Sequence, residues 1–279
     1  MSSPSQNWTE SLAYLPNSSA KAHCEIDAQG RAIAPKPHRA NLHLTIIKDA
    51  TLNATTAKGV APKALLVIGA PGSGRSGLMA TLNNFVAINP DRIKERLPEY
   101  QEATKNKAKN AALIVHTESS LIAKQIQVHA VSQKMNLAIE LTGENPAAIK
   151  AVMQSLKQHG YEVGVALCHC PEKDHLRRTI AMSESNGRWL SQDFIQQSNR
   201  QALDTFKQIR HECDRFRVID TQNPQAPQVV WEKRPEGEIV NSQSQFVKAL
   251  YVKPEPATSQ PRGFISKRSS VNRATGDGR

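Results

Sequence analysis

A glycine-rich segment between residues 65 and 77 carries the clearest chemical signal in the sequence. Its letters, LLVIGAPGSGRSG, place a buried-type strand before a glycine-rich loop, and a helical pattern follows the loop. Glycines allow successive backbone N–H groups to converge on a phosphate chain, and a helix N-terminus adds the positive end of its dipole. The segment is therefore predicted to bind the phosphates of ATP, through Gly69, Ala70, Pro71, Gly72, Ser73, Gly74, Arg75, Ser76 and Gly77.

Arg75 is the one departure from the P-loop pattern G-x-x-x-x-G-K-[ST], in which a lysine takes its place. Arginine keeps the positive charge, but its planar fork is bulkier than an ammonium, so the exchange is not conservative at a tight site. Ser76 stands where the P-loop hydroxyl meets magnesium. The pattern predicts an ATP and magnesium site in which phosphate binding has better support than turnover. A loop that binds nothing is the alternative.

Asp91 directly follows a second apolar run, at residues 85–89, and begins a helical turn. The carboxyl ends of strands in a parallel sheet face the ligand cleft, where a carboxylate can accept the proton of a substrate hydroxyl. The same position also suits a helix N-cap. Position alone leaves both interpretations open.

The rest of the chain alternates apolar runs with helical patterns, which is typical of βαβ units around a parallel sheet. We expect a three-layer α/β fold with a mainly parallel sheet. Its predicted strands are residues 64–69, 85–89, 136–141, 162–170 and 215–220, with an antiparallel edge strand at 228–234. Helices are predicted after the first strand and at 117–134, 145–160, 191–213 and 242–251.

The two ends of the chain differ in composition from the middle. Residues 1–60 contain several prolines and predict a partly ordered extension with one short strand at 42–47. Residues 61–252 form the predicted domain. From residue 253 the sequence turns to Pro, Ser, Gly and Arg without periodicity, which predicts a disordered basic tail at 253–279.

Composition limits the class of partner and the compartment. The 279 residues carry a net charge of +11, which indicates an anionic substrate or partner, and the 5% of aromatic residues makes recognition by base stacking the weakest case. No apolar run is long enough to span a bilayer, and the N-terminus lacks a secretory signal pattern. We expect a cytoplasmic protein, and its polar start also suits delivery by a specialised secretion system.

Motifs from about Ala64 to Arg234 follow one another in a recognisable order. They are GAPGSGRS, NPDRIKERLPEY, HTESSLIAKQI, NLAIELTG, HGYEVGVALCHCPEKDHLRRT, GRW and RVIDTQN with VVWEKR. This ordered set resembles the zeta toxins, which are P-loop small-molecule kinases of toxin–antitoxin systems and of some bacterial effectors. The resemblance implies an ATP-dependent, magnesium-dependent kinase that phosphorylates a sugar hydroxyl, with an antitoxin or chaperone as a further partner.

The resemblance also implies roles for single residues on the ATP side. It implies that Asp91 is the base that deprotonates the sugar hydroxyl. It implies that Arg188 acts in catalysis, and that Arg178, or its neighbour Arg177, holds the phosphates. Arg75 is expected to act in catalysis from its place in the P-loop pattern. Each helical arginine also has a plain alternative as part of a solvated face.

On the acceptor side, the resemblance implies that Glu118, Glu140 and Thr142 line the substrate pocket. Leu141 replaces the glycine of the family's E-G-T signature, and Glu144 stands where the toxins have a basic residue. The family's acceptors are UDP-N-acetylglucosamine and NAD, and the changed sign at Glu144 leaves the choice between a nucleotide-sugar and a dinucleotide open.

Two other functions compete with the kinase. Arg75, Leu141 and Glu144 favour a nucleotide-binding protein with a degenerate P-loop and little turnover. The basic tail alone would favour a P-loop kinase directed at nucleic acid, although we do not expect nucleic acid as a partner. Magnesium-dependent ATP turnover separates the first two hypotheses, and salt-sensitive binding to DNA or RNA would support the third.

Overall fold

The computed structural model describes residues 18–52, 54, 59–186, 190–241 and 244–250. The predicted disordered tail and Arg188 lie outside these residues. The elements, in chain order, are α1 (Ser19–His23), β1 (Cys24–Ile26), β2 (Ala32–Pro35), α2 (Pro37–Thr51), β3 (Lys63–Ile68), α3 (Arg75–Ala80), β4 (Val86–Ile88), α4 (Pro90–Lys94), α5 (Pro98–Lys105), α6 (Ala111–Ile114), α7 (His116–Ser132), β5 (Leu137–Leu141), α8 (Pro146–Gln158), β6 (Glu162–His169), α9 (Glu172–Asn186), α10 (Gln192–Ile209), β7 (Arg215–Asp220), β8 (Gln228–Arg234), β9 (Gly237–Val240) and α11 (Gln245–Leu250).

A seven-stranded sheet in the order β4-β5-β3-β6-β7-β8-β9 forms the centre of the molecule. The strands from β4 to β7 are parallel, and β8 and β9 add antiparallel pairs. The predicted mainly parallel α/β sheet is therefore confirmed. The registers Ile68↔Leu141 and Ile68↔Leu167 bring the carboxyl ends of β5 and β6 level with the end of β3, where the glycine loop begins.

Helices cover both faces of this sheet and complete three layers. One face packs its apolar side chains against α7, α8 and α10, with Ile122, Met153 and Phe206 buried at the contacts. The opposite face packs against α3 through Met79, and Cys168 fills part of that smaller core. Burial of both faces explains why the central strands are nearly continuous apolar runs in the sequence.

The predicted strand at residues 42–47 is wrong, because these residues lie within helix α2. Alternating apolar residues and the β-branched Thr45, Ile46 and Ile47 favoured a strand. The structure instead buries Arg39, His43 and Ile46, whose spacing of four and three residues places them on one helical face.

The prediction for residues 228–234 is half right. Strand β8 occupies these residues and is antiparallel to β7, but it is not the edge of the sheet. The chain turns at residues 235–236 and returns as β9, which pairs with β8 and lies at the edge. None of the described helices combines the length and apolarity needed to cross a bilayer.

Candidate active site at the carboxyl edge of the sheet

The glycine loop joins the end of β3 to the start of α3, as predicted. Gly69 has a φ of 154°, and a Cβ atom there would lie 2.5 Å from the Cys168 carbonyl oxygen, so a larger residue would not fit. Within the loop the Ser73 N–H donates to the Ala70 carbonyl over 3.1 Å. The Ser73 Oγ is buried, and within the described part of the chain it has no hydrogen-bond partner. Such an orphaned hydroxyl within a glycine loop fits a loop that binds oxygen-rich groups.

Glu140, near the end of β5, joins the glycine loop to the strand beside it. Its carboxylate lies 3.4–3.5 Å from the Ser76 Oγ and forms a 3.4 Å ion pair with the Arg75 Nε. The Asn89 Nδ2 donates to the same carboxylate over 2.6 Å. Helix α3, strand β5 and the N-cap residue of α4 therefore meet at one buried carboxylate.

The Arg75 side chain, which was predicted to act in catalysis at the phosphates, is buried and packs against β5. Its Nη1 donates to the Leu141 carbonyl over 2.6 Å, in addition to the Glu140 ion pair. The guanidinium makes the two contacts through two different nitrogens of its rigid planar fork. In this conformation Arg75 connects the loop to the end of β5.

Asp91 lies one residue beyond the N-terminal residue of α4, and it is not the N-cap. The side chain of Asn89 takes that role, because its Oδ1 accepts from the backbone N–H groups of Asp91 and Arg92 over 2.8 and 3.3 Å. The capping interpretation of Asp91 is therefore wrong. The Asp91 carboxylate is partly exposed and accepts from the Lys94 Nζ over 2.9 Å.

Glu118 is fully buried and is held by the N-terminal helix α2. Its carboxylate accepts from the Arg39 Nε over 2.7 Å and contacts the His43 Nε2 over 3.0 Å. Burial alone would raise the pKa of Glu118, but these hydrogen bonds outweigh burial and hold it at about 2. Cys24 also lies in this cluster. Glu118 thus faces a buried polar cluster rather than an open cleft, and its role in substrate binding stays a prediction.

Arg178, predicted to hold phosphate, lies behind the loop on α9. Its guanidinium donates to the carbonyls of Gly72, Thr221 and Gln222 over 3.3, 2.8 and 3.0 Å. These bonds connect the loop to the segment after β7. The neighbouring Arg177 is mostly exposed and pairs with Asp174 over 3.0 Å.

The remaining predicted residues lie close to the end of β5. Thr142 is half-buried directly after that strand. Glu144 was expected to give this part of the pocket a negative charge instead of a positive one. Its carboxylate accepts from the Ser198 hydroxyl over 3.1 Å. A cavity of about 480 Å³ opens on the outer side of β4 and is lined by residues that include Phe85, Asn89 and Arg92.

Sequence reasoning missed Asn89 and Arg39. Asn89 could have been found, because Asn before Pro at the start of a helical turn is a capping signal. Arg39 gave no local signal, since its partner Glu118 lies 79 residues away in the sequence.

Known proteins resemble this chain in sequence. A model of one family, described as zeta toxin, matches residues 48–236. Toxin zeta of Streptococcus pyogenes is 28% identical over 129 residues, which is 44% of this chain and 45% of that protein. Toxin zeta of Enterococcus hirae is 27% identical over 129 residues, with the same shares. The chain thus spans about half the length of the curated relatives it matches.

Solved structures show the same fold at lower identity. A structure from the PezAT chromosomal toxin–antitoxin system of Streptococcus pneumoniae superposes with a TM-score of 0.58 at 19% identity, over 69% of this chain and 79% of that one. The AvrRxo1-ORF1:-ORF2 complex with ATP superposes with a TM-score of 0.60 at 18% identity, over 81% of this chain and 76% of that one. At these identities the likeness concerns the fold alone.

The strand order, the glycine loop and the acidic end of the adjacent strand define a P-loop protein of kinase-like fold. The family match covers more than half of the chain. The chain belongs to the zeta toxin family.

Proposed function

We propose that this protein is an ATP-dependent kinase that transfers the γ-phosphate to a hydroxyl of an anionic, sugar-containing acceptor. The observation that carries the proposal is the hydrogen-bonded path from the glycine loop through Ser76, Glu140 and Asn89 to the backbone of Asp91. The path ends at α4, which follows β4 and carries the partly exposed Asp91 carboxylate. Phosphoryl transfer depends on such positioning more than on covalent chemistry by the protein.

In this reaction the Asp91 carboxylate would accept the proton of the acceptor hydroxyl as its oxygen forms a bond to the γ-phosphorus. The bond from that phosphorus to the ADP oxygen breaks, and the amides of the glycine loop hold the phosphates in place. Arg75 would neutralise charge at the loop while it stays tied to β5. Arg178 would act through the loop backbone, and we retain Arg188 as a proposed phosphate contact.

Ser76 and Glu140 are the residues that would hold magnesium. A hydroxyl and a carboxylate side by side at the end of a P-loop are the oxygen ligands that this ion prefers. When bound, magnesium would neutralise charge on the ATP phosphates. Glu140 therefore has a second proposed role, besides the substrate contact that the family resemblance implies.

The acceptor is proposed to be a nucleotide-sugar such as UDP-N-acetylglucosamine, or NAD. The net charge of +11 supports an anionic acceptor. Phosphorylation of such a metabolite would make the protein a toxin or effector in the cytoplasm of the cell where it acts, and an antitoxin or chaperone would be its protein partner.

Asp91→Asn tests the proposal most directly. Asparagine has nearly the same shape, and Asn89 still caps α4, so folding and ATP binding should stay near wild type. Transfer from radiolabelled ATP to UDP-N-acetylglucosamine or NAD, with magnesium present, should fall by about two to four orders of magnitude.

Asp204→Asn is the matched control, because Asp204 also pairs with a lysine three residues further along its helix, Lys207, but on the exposed surface of α10. It should leave the transfer rate unchanged. Full activity of a folded Asp91→Asn protein would show that another group is the base. Wild-type protein that transfers phosphate to neither acceptor would contradict the proposed substrates.

One observation favours a second candidate, a nucleotide-binding protein with little turnover. The Arg75 guanidinium contacts Glu140 and the Leu141 carbonyl. In the usual pattern, by contrast, the lysine at this position reaches the phosphates. ATP binding without magnesium-dependent transfer to any acceptor would support this candidate over the kinase.

A further inference from the structure

Helix α9 packs against the outside of the glycine loop at unusually short range. Gly72 has a φ of 78°, and a Cβ atom on it would lie 2.7 Å from the His175 carbonyl oxygen and 2.8 Å from the Thr179 hydroxyl. Only glycine can bring the loop this close to the helix. The loop therefore has a rigid backing formed by another element.

His175 supplies the polar contact in this backing. Its side chain is fully buried, and the Nδ1 lies 3.0 Å from the Pro71 carbonyl oxygen. Because a carbonyl oxygen only accepts, the Nδ1 must carry the proton in this contact. The Nε2 is buried and has no hydrogen-bond partner among the described residues, so the ring is best accommodated in its neutral form.

The surroundings of His175 hold the ring in one orientation. The His169 ring lies edge-on to it, with a centroid separation of 5.7 Å, and itself stacks on Phe246 at 3.7 Å. Burial lowers the pKa of both histidines, that of His169 to about 3. Neutral, packed rings of this kind form a fixed support rather than a proton relay.

The contact with Pro71 determines which way the next amide points. In a trans peptide unit the C=O and N–H groups point in opposite directions. The His175 Nδ1–H holds the Pro71 carbonyl towards α9, on the outside of the loop. The Gly72 N–H of the same peptide unit therefore points away from α9, into the loop.

We propose that His175 is a positioning residue of the nucleotide site, which orients the Gly72 N–H towards the phosphates by holding the Pro71 carbonyl. The inference rests on the proposed function, since it assumes that ATP binds at this loop. It adds a residue on α9 that touches no reacting atom. Arg178 holds the following carbonyl, that of Gly72, in the same outward direction.

Two amide variants that differ only in donor position test this role. In His175→Asn the amide nitrogen can occupy the place of Nδ1, whereas in His175→Gln the amide lies one bond further from the backbone. We expect the Asn variant to bind magnesium-ATP within about twofold of wild type and the Gln variant to bind about three- to tenfold more weakly, which is the range for one neutral hydrogen bond. In the transfer assay the Gln variant should have a raised KM for ATP and a kcat near wild type at saturating ATP.

Equal affinities of the Asn and Gln variants, whether both weak or both near wild type, would overturn the inference. The side-chain nitrogen signals of His175 in nucleotide-free protein give a second measurement that needs no variant. The Nδ1–H tautomer is expected, and the Nε2–H tautomer would overturn the inference. Wild-type protein that binds no ATP would instead remove the proposed function, and the inference with it.

Discussion

At the scale of single residues, the Glu140 carboxylate determines how the loop, β5 and α4 fit together. It is the common partner of Arg75, Ser76 and Asn89. Its charge balances the arginine that replaces the usual P-loop lysine, and in the proposed function it would also offer an oxygen to magnesium beside Ser76. Replacing Glu140 by a neutral residue of the same shape would show whether these roles depend on its charge or only on its packing.

Glu140→Gln should therefore raise the magnesium concentration needed for half-maximal transfer by about tenfold or more, because one anionic ligand of a hard cation is lost. ATP binding in the presence of a chelator should change much less. A magnesium titration of the transfer rate checks this. Glu162→Gln is the control, since Glu162 pairs with Arg215 at the opposite end of β6. An unchanged magnesium dependence in Glu140→Gln would remove Glu140 from the proposed metal site.

The sequence predicts residues well where the signal is local. The glycine loop could be located because strand, glycines and helix follow one another within a few residues. The contacts of Arg75 and Arg178 could not be predicted, because both guanidinium groups bind backbone carbonyls of segments distant in the sequence. Every residue has a backbone carbonyl, so an acceptor of this kind cannot be recognised from the residue types.

At the scale of elements, helix α2 was wrongly predicted to contain a strand. Its contacts are also expected to contribute strongly to the stability of the fold. Arg39 on this helix contacts two carboxylates, that of Glu118 and, over 2.5 Å, that of Glu99. Removing one partner of a buried ion pair leaves the other charge in the interior without compensation. The helix should therefore contribute to stability mainly through this residue.

Arg39→Met should lower the free energy of unfolding by about 3–5 kcal/mol, because the Glu118 charge would stay buried without its guanidinium. Urea unfolding at pH 7 measures the loss. Leu44→Ala on the same helix is the control, since Leu44 is 63% exposed and its removal should change the free energy by less than about 0.5 kcal/mol. Equal, small effects of both variants would contradict a structural role for the ion pair.

Six of the seven strands of the sheet could be predicted almost residue by residue, unlike α2 and the edge strand β9. The central strands β3, β5 and β6 are mostly buried on both faces, so each appears as a largely apolar run. In α2 the buried residues are Arg39, His43, Ile46 and Thr51, three of which are polar. Hydrophobic periodicity cannot detect a helix whose buried side chains are mostly polar and bind polar side chains of another helix.

At the scale of the whole molecule, the buried Glu118 cluster should make stability depend on pH in the acid range. The pKa of Glu118 falls from 4.5 to about 2 on folding. A depressed carboxyl pKa contributes stability that is present above pH 4.5 and is lost as the pH falls towards 2. The pKa of Asp214 is also lowered by its hydrogen bonds, so the two carboxylates act in the same direction.

Wild-type protein should lose on the order of 3 kcal/mol of unfolding free energy from this one group between pH 5 and pH 2. Glu118→Gln should be less stable than wild type at pH 7, and its stability should fall less steeply in acid. Urea unfolding at several pH values measures both slopes. Parallel slopes for the two proteins would show that Glu118 does not titrate with a depressed pKa.

The family match begins at residue 48, inside helix α2, while Arg39 and His43 lie before that point. The match to the family model is therefore shorter than the region of this chain that folds as one electrostatic unit. Recombination between relatives at that boundary would import a buried glutamate without the arginine that neutralises it. The N-terminal segment and the rest of the domain should thus be inherited together, and modules exchanged within the family would have to carry a matching pair of charges.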